Sequence, residues 1–143
     1  MTVKSILEGK GRDVVVIAPS DTLSHAVDIL AKYKIGAVVV CDETRHIKGI
    51  LSERDVVRAL SIRQTEALNM PVSEVMTAKV QMCREHHTVT QVMEIMTQSR
   101  FRHMPVEEHG KLVGIISIGD VVKRRIGDVE REAEEILSYI ATA

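Results

Sequence analysis

Aromatic side chains are nearly missing from this sequence: there is no Trp, one Phe (Phe101) and two Tyr (Tyr33 and Tyr139) in 143 residues. Platforms for single-stranded nucleic acid are built on such rings, so that function class has little to stand on. Long hydrophobic runs are missing too. No stretch approaches the roughly eighteen consecutive apolar residues of a membrane span, and residues 1–8 lack the apolar run of a secretory signal. Excess charge of one sign is absent: 19 Lys and Arg against 20 Asp and Glu leave a net −1, with no whole-chain basic field to attract nucleic acid. Cysteine is scarce. Cys41 and Cys83 lie far apart with no C-x-x-C, which fits buried free thiols in a reducing compartment better than a disulfide framework. These absences lead to the expectation of a cytoplasmic protein with no membrane segment. A hydrophobic content of 45% is enough to bury one core, or a core shared by two small halves.

What the sequence does have is repetition. Residues 114–122 read Gly-Ile-Ile-Ser-Ile-Gly-Asp-Val-Val and residues 49–57 read Gly-Ile-Leu-Ser-Glu-Arg-Asp-Val-Val, identical at six of nine positions. An apolar pair after glycine has the pattern of a buried strand end, and Ser-x-x-Asp that of a helix's opening turn. The flanking pattern repeats as well. Thr22 corresponds to Thr88 and Val40 to Val106, both 66 apart, and Gly49 corresponds to Gly114, 65 apart. Each copy predicts a short helical turn (residues 3–7 and 72–76), a strand, an amphipathic helix, two strands and a second helix. The first strand is expected at 14–17, closed by Ala18-Pro19. The first amphipathic helix opens after Thr22, carries Leu23, Ala26, Val27 and Leu30 on one face and ends at Gly36. Its counterpart opens with the capping box Thr88-x-x-Gln91 and carries Val89, Val92, Met93 and Met96. The fold class is mixed α/β (α+β by some schemes), as two tandem β-α-β-β-α repeats. Their expected bounds are 1–60 and 72–126, with a linker at 61–71 and a C-terminal amphipathic helix at 127–143. Residues 9–12, Gly-Lys-Gly-Arg, match no phosphate-loop spacing and read as a flexible loop.

The C-terminal helix has no counterpart in the first copy. Ile126, Val129, Ala133, Ile136 and Ile140 continue from Val122 with heptad spacing, which predicts a seam that covers a second copy in a homodimer or, as the second choice, caps the chain's own core. Gly127-Asp128 is expected to break or kink it, with Asp128 as a new N-cap.

The first explanation of each Ser-x-x-Asp is a capping box, which needs no ligand. Three features add to it. Both boxes open at the carboxyl end of a strand, where ligands bind in α/β folds. Helix N-termini attract phosphate. Cations cluster nearby: Arg54 and Arg58, residues 123–125, and Arg100, Arg102 and His103. A carboxylate for ribose hydroxyls beside a serine and arginines for phosphate outlines a nucleotide site.

The duplicated unit resembles a pair of CBS domains (cystathionine β-synthase domains), together a Bateman module, over essentially the whole chain. Residues 49–55 and 114–120 are similar to that family's Gly-h-x-[Ser/Thr]-x-x-Asp motif, and residues 102–106, Arg-His-Met-Pro-Val, to its entry into the second strand. The resemblance implies two clefts about a pseudo-twofold axis. In them Asp55 and Asp120 would hold ribose, and Ser52, Ser117, Arg54, Arg102, His103 and Arg124 would lie near ribose or phosphate. An adenine slot would form near Val16, Ile17, Ala18, Met82, Cys83 and Ile115. Gly36-Ala37 stands where the second copy has Arg102-His103, so the clefts should differ.

The function implied is a non-catalytic, energy-sensing regulatory module. It would bind AMP first, with ADP, ATP, NAD(H) or S-adenosylmethionine behind, and signal to a downstream protein that no fused effector domain identifies. No catalytic constellation is present, and His86-His87 lack companions at metal-ligand spacing. Two other readings stay open: a ligand-free dimerisation or interaction scaffold, and behind it a nucleic-acid-binding protein using the basic positions named above.

Overall fold

The β-α-β-β-α order occurs twice, each time built from the residues that signalled it. The computed structural model describes residues 1–142. In the first copy α1 (Val3–Lys10) leads to β1 (Val16–Ile17), α2 (Leu23–Tyr33), β2 (Ala37–Cys41), β3 (Ile47–Ser52) and α3 (Glu53–Arg63). A 3-10 turn (Gln64–Asn69) then leads to α4 (Val72–Val75), α5 (Val89–Ser99), β4 (His103–Glu108), β5 (Lys111–Ser117) and α6 (Ile118–Thr142). Part of the expected linker is therefore helical, and Ala67 within it is fully buried in the first core.

The caps are those expected. Thr22 accepts from the His25 N–H, and Thr88 and Gln91 form a reciprocal capping box. The helix α2 stops two residues before Gly36, because Lys34 takes the left-handed conformation (φ 54°), as Arg100 does after α5 (φ 58°). In each copy an antiparallel pair carries the motif: Ala37 faces Ser52 in one and His103 faces Ser117 in the other. Both pairs shift register at the same place, between Val40 and Cys41 and between Val106 and Glu107. The strand expected at 14–17 is reduced to Val16–Ile17, parallel to β2, and its counterpart to a single parallel bridge from Cys83 to Val106.

The two copies exchange their leading helices. The N–H groups of Val3 and Lys4 donate to the carbonyls of His87 and Glu85 in the second copy, at 2.9 and 3.0 Å. Reciprocally, Val72 and Ser73 donate to Asp21 and Pro19 in the first copy, at 2.7 and 3.0 Å. Packing follows the same rule. Val3, Ile6 and Leu7 of α1 lie in the core made by α5, β4, β5 and α6, while Val72 of α4 lies in the core of α2, β2 and β3. Burying each such side chain contributes roughly 1.5–3 kcal/mol, so neither half completes its core without the other's lead-in. A third cluster of Val39, Cys41 and Leu112 joins the two sheets, and Arg45 and Leu112 exchange hydrogen bonds of 2.9 and 3.2 Å beside it.

The exchange explains the glycine that opens each motif. A Cβ on Gly49 would meet Met76 Sδ and the Thr77 carbonyl oxygen, both at 2.7 Å, and one on Gly114 would meet Leu7 Cδ2 at 2.7 Å.

The expected break at Gly127-Asp128 does not occur: α6 is a single helix of 25 residues. Asp128 is not an N-cap. It is buried and pairs within the helix with Arg124 (3.6 Å, i,i+4) and with Arg131 (i,i+3). The Arg124–Asp128 pair spans Gly127, which costs a helix interior about 1 kcal/mol. Val121 of α6 is fully buried, whereas residues 129–142 are exposed, among them Ile136 (60%) and Ile140 (64%) of the heptad stripe.

Gly49→Ala is expected to destabilise the protein by about 1–3 kcal/mol in urea denaturation. Gly114→Ala should cost less. The Thr77 carbonyl is held by paired hydrogen bonds with Ile50 (2.9 and 3.0 Å), whereas Leu7 meets the new methyl with the end of a side chain that can rotate. Equal losses would contradict this account of the two glycines.

Candidate functional site

Each strand-to-helix junction is a capping box with added donors, and these donors differ. At the first, the Ser52 hydroxyl accepts from the Asp55 N–H at 3.3 Å, and Asp55 Oδ2 accepts from the Ser52 N–H (2.9 Å) and hydroxyl (3.2 Å). The Thr77 hydroxyl donates to Asp55 Oδ1 at 3.2 Å, and Arg58 Nη1 stands 3.3 Å from the same oxygen. Asp55 is only 2% exposed; a carboxylate so buried requires these donors. At the second junction, the Ser117 hydroxyl accepts from the Asp120 N–H at 3.1 Å, and Asp120 Oδ2 accepts from the Ser117 N–H at 2.9 Å. Here the added donor is Lys10, whose Nζ lies 2.7 Å from Asp120 Oδ2 and 3.0 Å from the Ile115 carbonyl oxygen. Burial tends to raise the Asp120 pKa, but the hydrogen bonds from Lys10 and Ser117 and the Lys10 charge outweigh it and hold the carboxyl below its ordinary 3.8.

Two clefts lie between the copies. Cleft A, of about 340 Å³, has Ser52, Asp55, Arg54, Arg58 and Thr77 on one side, and Arg100, Phe101, Arg102 and His103 of the second copy on the other. Four arginines against Glu53 and Asp55 make it cationic, and the α3 N-terminus opens into it. Cleft B, of about 390 Å³, is its pseudo-symmetric counterpart, with Ile115 and Ser117 facing Lys34, Ile35, Gly36 and Ala37. His103 borders both clefts. Its burial, and then the charges of Lys10 and Arg102, lower its pKa from the ordinary 6.5 against the opposing pull of Asp120 and Glu53.

Of the residues singled out from the sequence, Ser52, Arg54, Asp55, Arg102 and His103 come together, all on cleft A. The basic pair of the second copy thus faces the carboxylate of the first, across the pseudo-twofold axis from Asp120. Ser117 lies on cleft B. Asp120 and Arg124 instead line a groove of about 550 Å³ on the far side of Lys10.

Of the six residues expected near the adenine, most turn their side chains away from the clefts. Ile17 and Cys83 point into the two cores, and burial pushes the Cys83 thiol up to about 12. Val16 packs in the sheet-to-sheet cluster, Ala18 is half-buried beside Asp21, and Met82 is exposed. Only Ile115 of the six lines a cleft. The reason is alternation: in so short a β1, inward side chains belong to the cores.

Residues that sequence reasoning missed are Phe101, Thr77 and Lys10. Phe101 was legible as the single Phe next to the basic run. The spacing carried no signal for Lys10, because residues 9–12 read as a loop while α1 continues through Gly9 to Lys10. Among the described residues no three His, Cys, Asp or Glu side chains come together as a metal site, and no helix is long and apolar enough to cross a membrane.

A family model for the CBS domain matches the chain twice, at residues 3–62 and 72–127. The chain belongs to the CBS-domain family. A solved CBS-domain-containing protein of Agrobacterium tumefaciens is 50% identical with a TM-score of 0.82, covering 87% of this chain and 92% of that one. Inosine-5′-monophosphate dehydrogenase of Aquifex aeolicus is 37% identical over 125 residues, 86% of this chain but 25% of the enzyme. The chain spans about two thirds of the length of the first curated relative it matches and a quarter of this dehydrogenase. Two CBS structures share the fold at lower identity. CBSX2 in complex with AMP is 23% identical with a TM-score of 0.72, covering 80% of this chain and 89% of that one. A CBS domain pair in complex with 5′-methylthioadenosine and S-adenosyl-L-methionine is 24% identical with a TM-score of 0.78, covering 90% and 98%.

Lys10→Met should raise the Asp120 pKa, since burial then acts with only Ser117 opposing it. In the parent protein the lowered pKa contributes stability that is present above 3.8 and is lost as pH falls through the folded value; this component should shrink in the variant. NMR titration of the Asp120 carboxyl carbon checks it, and an unshifted titration would contradict the role assigned to Lys10.

Proposed function

We propose that the chain is a regulatory module that binds an adenosyl nucleotide, AMP first, in cleft A. The observation that carries this reading is the composition of the cleft: a helix N-terminus with a held carboxylate comes from one copy, and an aromatic ring with basic side chains comes from the other. Asp55 Oδ1 accepts the ribose hydroxyls once Arg58, which is 63% exposed and free to swing, turns from it to the phosphate. Arg102 and Arg100 reach the phosphate from the opposite wall, where charge-assisted hydrogen bonds are strongest. The adenine stacks on Phe101 against Ala37 and Ile50, replacing the slot expected from sequence. A cleft of this volume lies at the small end of the range for organic ligands, about 300–1,000 Å³, which favours the monophosphate over NAD(H). The AMP, 5′-methylthioadenosine and S-adenosylmethionine held by the two more distant CBS structures support the adenosyl class.

The module senses rather than catalyses. A ligand that touches both copies stabilises one packing of the copies over another, by its difference in affinity for the two. The helix α6 begins at the second junction and carries such a change outward to a partner protein. Its exposed stripe supports a homodimer, with the basic residues 123–125 of one copy against the acidic residues 130–135 of another in antiparallel pairing.

Calorimetry with AMP tests the reading, with light scattering on the same samples reporting the dimer. Arg102→Ala and Asp55→Asn should each weaken binding about 10- to 150-fold, the worth of a charge-assisted hydrogen bond. Unchanged affinity in both folded variants would refute the assignment to cleft A.

A further inference from the structure

We infer that Lys10 is a built-in occupant of the second nucleotide position, so that cleft A fills while cleft B stays closed to nucleotide until Lys10 is displaced. The inference rests on the nucleotide reading above and concerns the other cleft. In cleft A, Ser52, Asp55 and Thr77 all border one cavity. In cleft B, Ser117 and Ile115 border the cavity with Lys10, and Asp120 does not. Asp120 lies beyond the lysine, in the groove that Lys10 shares with Lys123, Arg124 and Arg131. The ammonium bridges Asp120 Oδ2 (2.7 Å) and the Ile115 carbonyl oxygen (3.0 Å), so it stands between cleft B and the carboxylate through which that junction could hold a ribose.

The cause is a difference in helix length. The exchanged helix α1 has eight residues and α4 has four. The additional turn of α1 carries Lys10 to the second junction, whereas at the first junction the chain leaves the helix at Met76 and offers only the Thr77 hydroxyl. The wall opposite Lys10 does not compensate. Its basic groups are Lys34 and the His103 that both clefts share, and it has none of the four arginines of cleft A, so a nucleotide in cleft B lacks the bidentate phosphate grip that would expel the lysine.

Lys10→Met keeps the length of the side chain and removes the charge. In calorimetric titration the parent protein should saturate at one AMP per chain. The Lys10→Met protein should saturate at two, its second site tightened about tenfold or more, as expected for release of a charge-assisted hydrogen bond. Adding Asp120→Asn to Lys10→Met should return the count to one. Thermal denaturation confirms that each variant is folded, and Lys10→Gln repeats the test with a polar neutral side chain. One equivalent in the parent and in both folded Lys10 variants would overturn the inference while leaving cleft A intact, and so would two equivalents in the parent. Absence of AMP binding in every protein would overturn the nucleotide reading itself, and this inference with it.

Discussion

The structure depends on the exchange of lead-in helices between the two copies. Each copy holds its antiparallel strand pair and amphipathic helix, but the side chains that close its core, Val3, Ile6 and Leu7 in one case and Val72 in the other, come from the other copy's sequence. The contact is close enough that both motifs begin with glycine at the crossing point. Two consequences follow. The copies cannot separate without each losing part of its core, so their relative packing is one cooperative variable. The crossing segments also end at the two junctions, which places Thr77 at Asp55 and Lys10 at Asp120. The scaffold and the contents of the site come from the same exchange.

The Ser-x-x-Asp motif carries two roles in one geometry. As a capping box it satisfies helix-terminal N–H groups, a contribution of roughly 1 kcal/mol. That same geometry aims a carboxylate and a helix N-terminus at the space between the copies. What separates the two junctions is the wall that faces them. Arg100, Phe101, Arg102 and His103 face the first; Lys34, Ile35, Gly36 and Ala37 face the second. A tandem repeat with the same Ser-x-x-Asp box and different facing walls yields one cleft with four arginines and one whose basic groups are Lys10, Lys34 and the shared His103.

Local features of the fold were legible in the sequence because they obey local rules. The stripes of α2 and α5, the Thr22 and Thr88 caps and the two Ser-x-x-Asp boxes all stand where spacing put them. The site was legible in its residues and not in their pairing. Arg102 and His103 are sequence neighbours of the second motif yet face Asp55, because partners across a pseudo-twofold axis leave no mark on spacing. The exchange of α1 and α4 was hidden for a related reason: two copies with the same apolar pattern fit either core. The sequence does not show that the side chain of Ile17, in the stretch 16–18 expected near adenine, turns into the core. Gly127-Asp128 reads as a break or kink in α6, and the Arg124–Asp128 ion pair crosses that glycine within one continuous helix.

The central claim is that one nucleotide touches both copies at once in cleft A. Backbone amide chemical shifts recorded during titration with AMP test it most directly. The account predicts saturable shifts at Ser52, Asp55 and Thr77 together with Phe101, Arg102 and His103, all following one binding curve. Shifts confined to one of these groups, or centred on Asp120 and Lys10, would contradict it.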